Sequence, residues 1–459
     1  MVRGTDTIVA RATASGEGAI GIIRISGPLT FSIIEKCFKS AVRRSWKYNY
    51  LTYGHLIDPE EGSVIDDIFC VVFKKPHSYT GEDAGEFHCH GGPAIISQAL
   101  FMLCHSGARM AEPGEFTKRA FLNGKMDLTR AEAVCDLIRS QTDKASRIAL
   151  RQLQGGLDSK IKHVKEKIIT IAAEIEARLD FPEQDLEVRD NSLILNTFES
   201  SLSEIQSLIS QGIRARVYTQ GLRVVLLGKP NTGKSSLFNA LLKMERSIVT
   251  PHPGTTRDTI ESTVDLLGCP ISYVDTAGIQ KTGSEVEMLG IERAKKEISK
   301  ADLNIFLVDS SSPLDHEDHH IYELLSENSY ILVLNKIDLP VGINENELLP
   351  FEKKAAAKVM TSAITGAGID ALESIISQIL ITREITTEDA LVTNERHLAL
   401  LRECSESLAH ARKEFLRGTP EEFLMVDIRE SLHALSGITG EEVNEEILDA
   451  IFKRFCIGK

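Results

Sequence analysis

Residues 222–244 read LRVVLLGKPNTGKSSLFNALLKM, and no other stretch restricts the fold of this chain as tightly. An apolar run of strand length meets G-x-x-x-x-G-K-S and then a helical pattern. That order of strand, loop and helix is what a phosphate-binding loop requires. Its glycines let backbone N–H groups wrap phosphate oxygens where a helix begins. Asn231, Thr232 and Gly233 form the turn, Lys234 faces the β- and γ-phosphates, the Ser235 hydroxyl faces Mg2+, and Ser236 continues into the helix.

Four more elements follow in order. PGTTRD offers Thr256 to complete the Mg2+ shell, with Thr255 beside it. DTAG follows a second strand. There Asp275 reaches Mg2+ through water, Thr276 and Ala277 line the turn, and Gly278 offers its N–H to the γ-phosphate. NKID, with Asn335, Lys336 and Asp338, follows a third strand. The Asp338 carboxylate can accept from guanine N1–H and the exocyclic amine, a donor pair that adenine lacks, so it selects GTP over ATP. TSA follows a fourth strand, where Ser362 and Ala363 suit a backbone contact to the guanine oxygen. Strands alternate with helical segments from about residue 218 to residue 380, which predicts a doubly wound α/β domain. The set resembles a translation-factor-type, Ras-like GTPase domain.

The flanks are helical. Leu157, Ile161, Val164, Ile168, Ile171, Ile175 and Leu179 recur every three or four residues as one apolar stripe, which Pro182 ends. Phe198, Leu202, Ile205 and Ile209 predict a second helix; Leu424, Ile428, Leu432 and Leu435 predict another, closed by Gly437. The economical arrangement is insertion. A helical domain made of residues 121–217 and 381–459 carries the α/β domain of residues 218–380. Residues 1–120 read as a further α/β domain, with strands TIVARA, GIIRIS and DDIFCVVF and a helix capped by Gly107.

Composition narrows the class. Of 459 residues, 42% are hydrophobic and 26% charged, the profile of a soluble multidomain protein with neither a signal peptide nor a membrane span. Eight cysteines with no CxxC pair fit reduced thiols in a cytoplasm. A net charge of −14 excludes a surface that grips nucleic acid everywhere, so RNA contact needs a local patch or a partner. Arg139, Lys144, Arg147 and Arg151, on the helix before Gly155, are either such a patch or an ordinary solvated face. His88, Cys89 and His90 in HCHGG attract a metal reading, but no further ligands cluster nearby. SSSPLDHEDHH reads as a solvated loop. Arg24 shares a strand face with Ile20 and Ile22 and needs an anion, from a ligand or from a protein carboxylate.

Hydrolysis poses a separate question. A Ras-like enzyme orients water with a glutamine directly after the DxxG glycine. Here that position is Ile279, Gln280 is one step off, and no arginine finger is evident.

The GTPase motifs, the helical flanks, GIIRISG, TGEDAGEFHCHGGP, PGEFTKRAFLNGKMDL and the terminal CIGK together resemble the MnmE (TrmE) family of tRNA-modification GTPases, in order and over the full length. Other bacterial GTPases share GKPNTGKSSLFN and PGTTRD without this N-terminal region and tail. The resemblance implies a homodimer that works with the flavoprotein MnmG, which carries FAD, as a heterotetramer. The pair adds carboxymethylaminomethyl or aminomethyl groups to the wobble uridine of certain tRNAs, with 5-formyl- or 5,10-methylenetetrahydrofolate as one-carbon donor. It also implies that K+ replaces the arginine finger, held by Asn231 and by Thr250, His252 and Thr255 in the following loop. Glu287 would orient water through a second water. The N-terminal domain would bind folate and dimerise, with Arg24, Glu86 and Lys125 at the cofactor.

The tail then acquires a role. CIGK fits a prenylation signal poorly, because Gly458 is not aliphatic and Lys459 is not a usual last residue. Phe452 and Phe455 beside Ile451 make a helix that can dock. The resemblance puts Cys456 and Lys459 in the folate pocket, Cys456 as an acid–base or nucleophilic group. The alternative for the whole chain is a GTP-dependent assembly or ribosome-biogenesis switch without modification chemistry.

Overall fold

The structure, a computed structural model, describes residues 6–41, 47–180, 191–244, 260–275, 295–325, 328–380 and 391–459. The chain divides into two compact units. One comprises Met1–Ile138, Gln152–Leu202 and Glu403–Lys459; the other comprises Arg139–Arg151 and Ser203–Arg402.

The first unit begins with β1 (Ile8–Arg11), β2 (Ile20–Ser26), α1 (Thr30–Cys37), β3 (Phe38–Ser40), β4 (Thr52–Ile57), β5 (Val64–Phe73), β6 (Ala84–His90), α2 (Pro93–His105) and β7 (Arg109–Met110). These strands form one sheet in the order β3-β4-β5-β6-β2-β1-β7, antiparallel except for the β1–β7 pair. Alternation along β2 turns Ile23 and Ile25 into a core shared with Phe87, Ile33, Ile34, Ile96 and Leu103. The opposite face carries Ile20, Ile22 and Arg24, and Ile20 is 61% exposed. Arg24 thus shares a face with Ile20 and Ile22 as expected, and that face is open at Ile20 but closed at Ser26, where Ile8 and Ala10 pack with Phe116.

Helices α3 (Glu115–Leu122), α4 (Leu128–Arg139), α5 (Asp143–Leu153), α6 (Gly156–Asp180) and α7 (Asn191–Gln220) follow. The α6 stripe is as predicted, with Leu157, Ile161, Val164, Ile168, Ile171 and Ile175 all buried. Pro182 lies outside the described residues. The basic run does not share one helix. Arg139 ends α4, and Lys144, Arg147 and Arg151 belong to α5, because Thr142 accepts from the Ala145 N–H at 3.1 Å and starts a new helix. Within α5, Arg147 pairs with Asp143 at 2.7 Å, and Lys144 Nζ lies 4.0 Å from the Tyr218 ring centroid.

The second unit continues with β8 (Leu222–Leu227), α8 (Lys234–Met244), β9 (Ile260–Leu266), β10 (Cys269–Asp275), β11 (Leu303–Asp309), α9 (His316–Leu324), β12 (Tyr330–Asn335), α10 (Glu345–Lys354), β13 (Ala357–Met360) and α11 (Ile369–Leu380). The sheet order is β13-β12-β11-β8-β10-β9, parallel throughout except for β9. Helices cover both faces, so β8 is apolar without alternation. Val224 and Leu226 enter one core, Val225 and Leu227 the other. The histidine-rich segment is not a loop along its length. Asp315 caps α9, its side chain accepting from the Glu317 and Asp318 N–H groups, and His316, His319 and His320 lie in the helix.

Helices α12 (Glu395–Arg417), α13 (Glu421–Thr439) and α14 (Glu445–Phe452) complete the chain. The stop expected at Gly437 falls three residues later. Ile438 is still buried, and α13 ends at Gly440 with φ 90°.

Candidate functional site

Three of the five motifs, the phosphate loop, NKID and TSA, leave the second sheet at the C-terminal ends of its parallel strands. The parallel strands β8, β10, β11, β12 and β13 end at Leu227, Asp275, Asp309, Asn335 and Met360, all on one side of the sheet. The phosphate loop leaves the central strand and turns at Asn231, whose φ is 67°. Gly228 makes a close approach there: a Cβ would fall 2.6 Å from the Leu307 carbonyl oxygen of β11. Lys234 is buried, and its Nζ donates to the Gly228 and Lys229 carbonyls, both at 2.7 Å. Thr232 Oγ1 donates to the Lys229 carbonyl at 2.9 Å. Ser235 and Ser236 are exposed at the start of α8.

Asn335 joins three segments. Its Nδ2 donates to the Thr232 carbonyl at 2.8 Å, and its Oδ1 accepts from Thr361 Oγ1 at 3.2 Å and from the Ala363 N–H at 3.1 Å. The phosphate loop, NKID and TSA thus share one buried amide, 1% exposed. Asp338 is exposed, and Ser362 Oγ donates to its Oδ1 at 2.5 Å, which fixes the carboxylate. Lys336, at φ 67°, donates to Asp309 Oδ2 at 2.6 Å. Burial pushes the Asp309 carboxyl up, but Lys336 and Ser311 outweigh it and hold it below its usual range. Asp309 belongs to no motif, and only its place at a strand end hints at it; Ser362 is read from TSA for its backbone, and its hydroxyl's hold on Asp338 is additional. Asp275 closes β10. Thr250, His252, Thr255, Thr256, Thr276, Ala277, Gly278, Ile279, Gln280 and Glu287 lie outside the described residues.

The first unit contains a cavity of about 240 Å³ lined by Arg24, Ser26, Phe73, Tyr79, Thr80, Ala84, Gly85 and Glu86. Arg24 and Glu86 are cross-strand partners on β2 and β6. Arg24 Nε donates to Glu86 Oε1 at 3.0 Å, and the guanidinium carbon lies 5.3 Å from the Tyr79 ring centroid. Arg24 thus has a protein carboxylate beside it, and β2 is an interior strand. His88 and then Arg24 hold the Glu86 carboxyl below its usual range against the effect of burial. His90 Nδ1 contacts Asp66 Oδ1 at 2.6 Å and His88 Nε2 contacts Glu86 Oε2 at 3.4 Å. Cys89 points into the core. Among the described residues no three metal-binding side chains gather.

The tail is docked in the same unit. Phe452 and Phe455 pack with Leu128, Ala131 and Leu448. Beyond them the Gly114 N–H donates to the Cys456 carbonyl at 3.4 Å and the Phe116 N–H to the Lys459 carbonyl at 3.2 Å. These are N–H groups at the start of α3, left over by the helix itself. Burial lowers the Lys459 pKa, and Arg24 lowers it further, with Glu86 and Cys456 opposing. Lys459 therefore lies close enough to Arg24, Glu86 and Cys456 to feel their charges. The Cys456 side chain is exposed. Lys125 is not one of the cavity-lining residues; it is exposed and donates to the Pro76 carbonyl at 2.9 Å.

Known proteins with similar sequences agree along the whole chain. A family profile described as the GTP-binding protein TrmE N-terminus matches residues 7–125, and one described as the MnmE helical domain matches residues 128–456. The tRNA modification GTPase MnmE of Thermoanaerobacter pseudethanolicus is 42% identical over 458 residues, 99% of each chain. The MnmE proteins of Desulforamulus reducens and Staphylococcus aureus strain Newman are each 39% identical, again over 99% of both chains. Among solved structures, a variant of Aquifex aeolicus Era bound to GDP.AlF4− is 29% identical, covering 40% of this chain and 66% of that one with a TM-score of 0.29. Among the described residues no helix is long and apolar enough to cross a membrane. With two family profiles in succession and relatives aligned from end to end, the chain belongs to the MnmE family of tRNA modification GTPases.

Proposed function

We propose that this GTP hydrolase couples its nucleotide cycle to modification of the wobble uridine of certain tRNAs in the cytoplasm. The observation that carries the reading is the end-to-end similarity to tRNA modification GTPases, together with the nucleotide loops gathered at one sheet edge. In this reading a homodimer works with an MnmG-type flavoprotein, bearing FAD, as a heterotetramer, and a tetrahydrofolate supplies the one-carbon unit. Residues 1–120 bind folate and dimerise, residues 121–217 and 381–459 form the helical domain, and residues 218–380 form the GTPase domain.

The residues assigned to GTP are Asn231, Thr232, Gly233, Lys234, Ser235, Ser236, Thr250, Thr255, Thr256, Asp275, Thr276, Ala277, Gly278, Asn335, Lys336, Asp338, Ser362 and Ala363. Lys234, oriented by the loop carbonyls, faces the phosphates, and Asp338, oriented by Ser362, accepts from the guanine edge. Ser235 is exposed at the helix N-terminus, which fits a hydroxyl ligand of Mg2+ with Thr256 as its companion. Asn231 is exposed at the bend of the loop, which fits a side-chain ligand of K+ with Thr250, His252 and Thr255. A K+ held there would supply positive charge in place of an arginine finger, and Glu287 would orient the attacking water.

The Arg24–Glu86 pair lines a cavity and feels the charge of Lys459, and this fits a folate carrying both carboxylate and ring N–H groups. Arg24 and Lys459 would bind its acidic tail or pterin oxygen, and Glu86 would accept from its ring. Lys125 would approach from the pocket rim. Cys456 would stand at the one-carbon unit. Reconstitution tests the scheme: purified protein, MnmG-type partner, GTP, K+, folate donor and unmodified tRNA should yield the modified wobble nucleoside by mass spectrometry. Product formed equally without this protein would refute it and favour an assembly switch.

A further inference from the structure

The phosphate loop is tethered by a side chain that the nucleotide motifs do not account for. Lys229 Nζ donates to Asp315 Oδ2 and to Asp318 Oδ2, both at 2.8 Å. The Lys229 side chain is 12% exposed and that of Asp318 is 0% exposed. Asp318 Oδ2 also accepts the Asp315 N–H at 3.1 Å in the capping box of α9. Asp318 Oδ1 is buried with no hydrogen-bond partner among the described residues. A carboxylate so enclosed requires a cation beside it, and Lys229 supplies one.

The backbone of the same residue is engaged as well. The Lys229 carbonyl accepts from Lys234 Nζ at 2.7 Å and from Thr232 Oγ1 at 2.9 Å. Clamping the side chain of Lys229 therefore fixes the carbonyl that orients the loop's own lysine. The clamp lies on a short segment whose first residue, Asp309, holds Lys336 of the base-recognition motif at 2.6 Å. Residues 309–318 thus reach both nucleotide loops from one side of the sheet.

We propose that Lys229 is a positioning residue: gripped by Asp315 and Asp318, it holds the phosphate loop in its binding shape before the nucleotide arrives. A loop already ordered spends no affinity on ordering. The proposal rests on the reading that these loops bind guanine nucleotides, and it adds an anchor outside the motif residues.

The test titrates the full chain with a fluorescent GDP analogue, well below each variant's melting temperature. Lys229→Met should weaken binding by about tenfold. Lys229→Arg, which can still bridge both carboxylates, should stay within about twofold of the unaltered protein. Asp318→Asn, which keeps the capping acceptor but removes the charge, should weaken binding in the same direction as Lys229→Met. Single-turnover hydrolysis at saturating GTP should change less than affinity does, because the lost term belongs to loop ordering. A lowered melting temperature with unchanged affinity in both Lys229→Met and Asp318→Asn would overturn the proposal and leave the pair a purely structural contact. Failure of the unaltered protein to bind the analogue would instead overturn the guanine-nucleotide reading.

Discussion

Replacing Gly458 with alanine should release the tail without unfolding the unit that holds it. Gly458 has φ 93°, and a Cβ there would lie 2.1 Å from the Arg11 carbonyl oxygen and 2.9 Å from its carbon. Arg11 is the last residue of β1 and is paired with Ile23 of β2, which holds its backbone in place. The left-handed conformation alone costs an alanine about 1–2 kcal/mol, and the overlap adds to it. Against this stand two backbone hydrogen bonds, from Gly114 and Phe116, each contributing about 0.5–1.5 kcal/mol. The conformational cost alone is comparable to the attachment, and the overlap at 2.1 Å tips the balance, so residues 456–459 should leave. Phe452 and Phe455 belong to a separate apolar cluster and should stay. Hydrogen exchange at the Phe116 amide reads the outcome. Loss of about 2 kcal/mol of local protection accelerates exchange on the order of thirtyfold. Gly62→Ala is the control, since Gly62 has φ 70° with nothing within 4 Å of its Cβ position. Unchanged protection at Phe116 in Gly458→Ala would refute the docking argument.

Asp338→Asn should relax base choice from guanine toward xanthine, because one carboxylate acceptor becomes a donor; the discrimination lost is about 2–4 kcal/mol. Competition between GTP and XTP measures it, and an unchanged guanine preference would contradict the assignment. Acid should weaken the first unit. Burial raises the carboxyls of Asp6 and Glu115, but Arg109 and Arg119 outweigh it and leave both below their usual range. The unfolded chain then binds more protons, so their contribution is complete above the ordinary carboxylate range and is lost as pH falls through the lowered values. Urea midpoints should fall with pH more steeply in the unaltered protein than in Arg119→Met, and equal slopes would count against the network.

The nucleotide loops were legible because their chemistry is local. GKPNTGKS fixes a backbone turn by its own spacing, and the ends of β10 and β12 follow from apolar runs buried on both faces. Contacts distant in sequence left no trace. Asn335 reaching Thr232, or Lys229 reaching Asp318, depends on how strands order themselves in the sheet. Alternation along β2 separated its two faces correctly, but nothing in it showed that the Arg24 face opens at Ile20 and closes at Ser26. Gly437 drew the end of α13 too early, since burial of Ile438 and Thr439 continues the helix to a glycine that is left-handed. The break between α4 and α5 did carry a signal, Thr142 followed by Asp143, an N-cap before a first-turn carboxylate. The histidine-rich segment hid a capping box in the same way.

The proposed function joins a guanine-nucleotide site to wobble-uridine chemistry through separate residues of one chain. The most direct measurement is the nucleoside composition of tRNA from cells that lack this gene and carry either the unaltered protein, Lys234→Ala, or a chain without its last four residues. The unaltered protein should restore the modified wobble uridine. Both variants should fail to restore it, although the truncated protein, purified, should still hydrolyse GTP faster in K+ than in Na+. Normal wobble modification in cells carrying either variant, or in cells carrying no copy, would contradict the account.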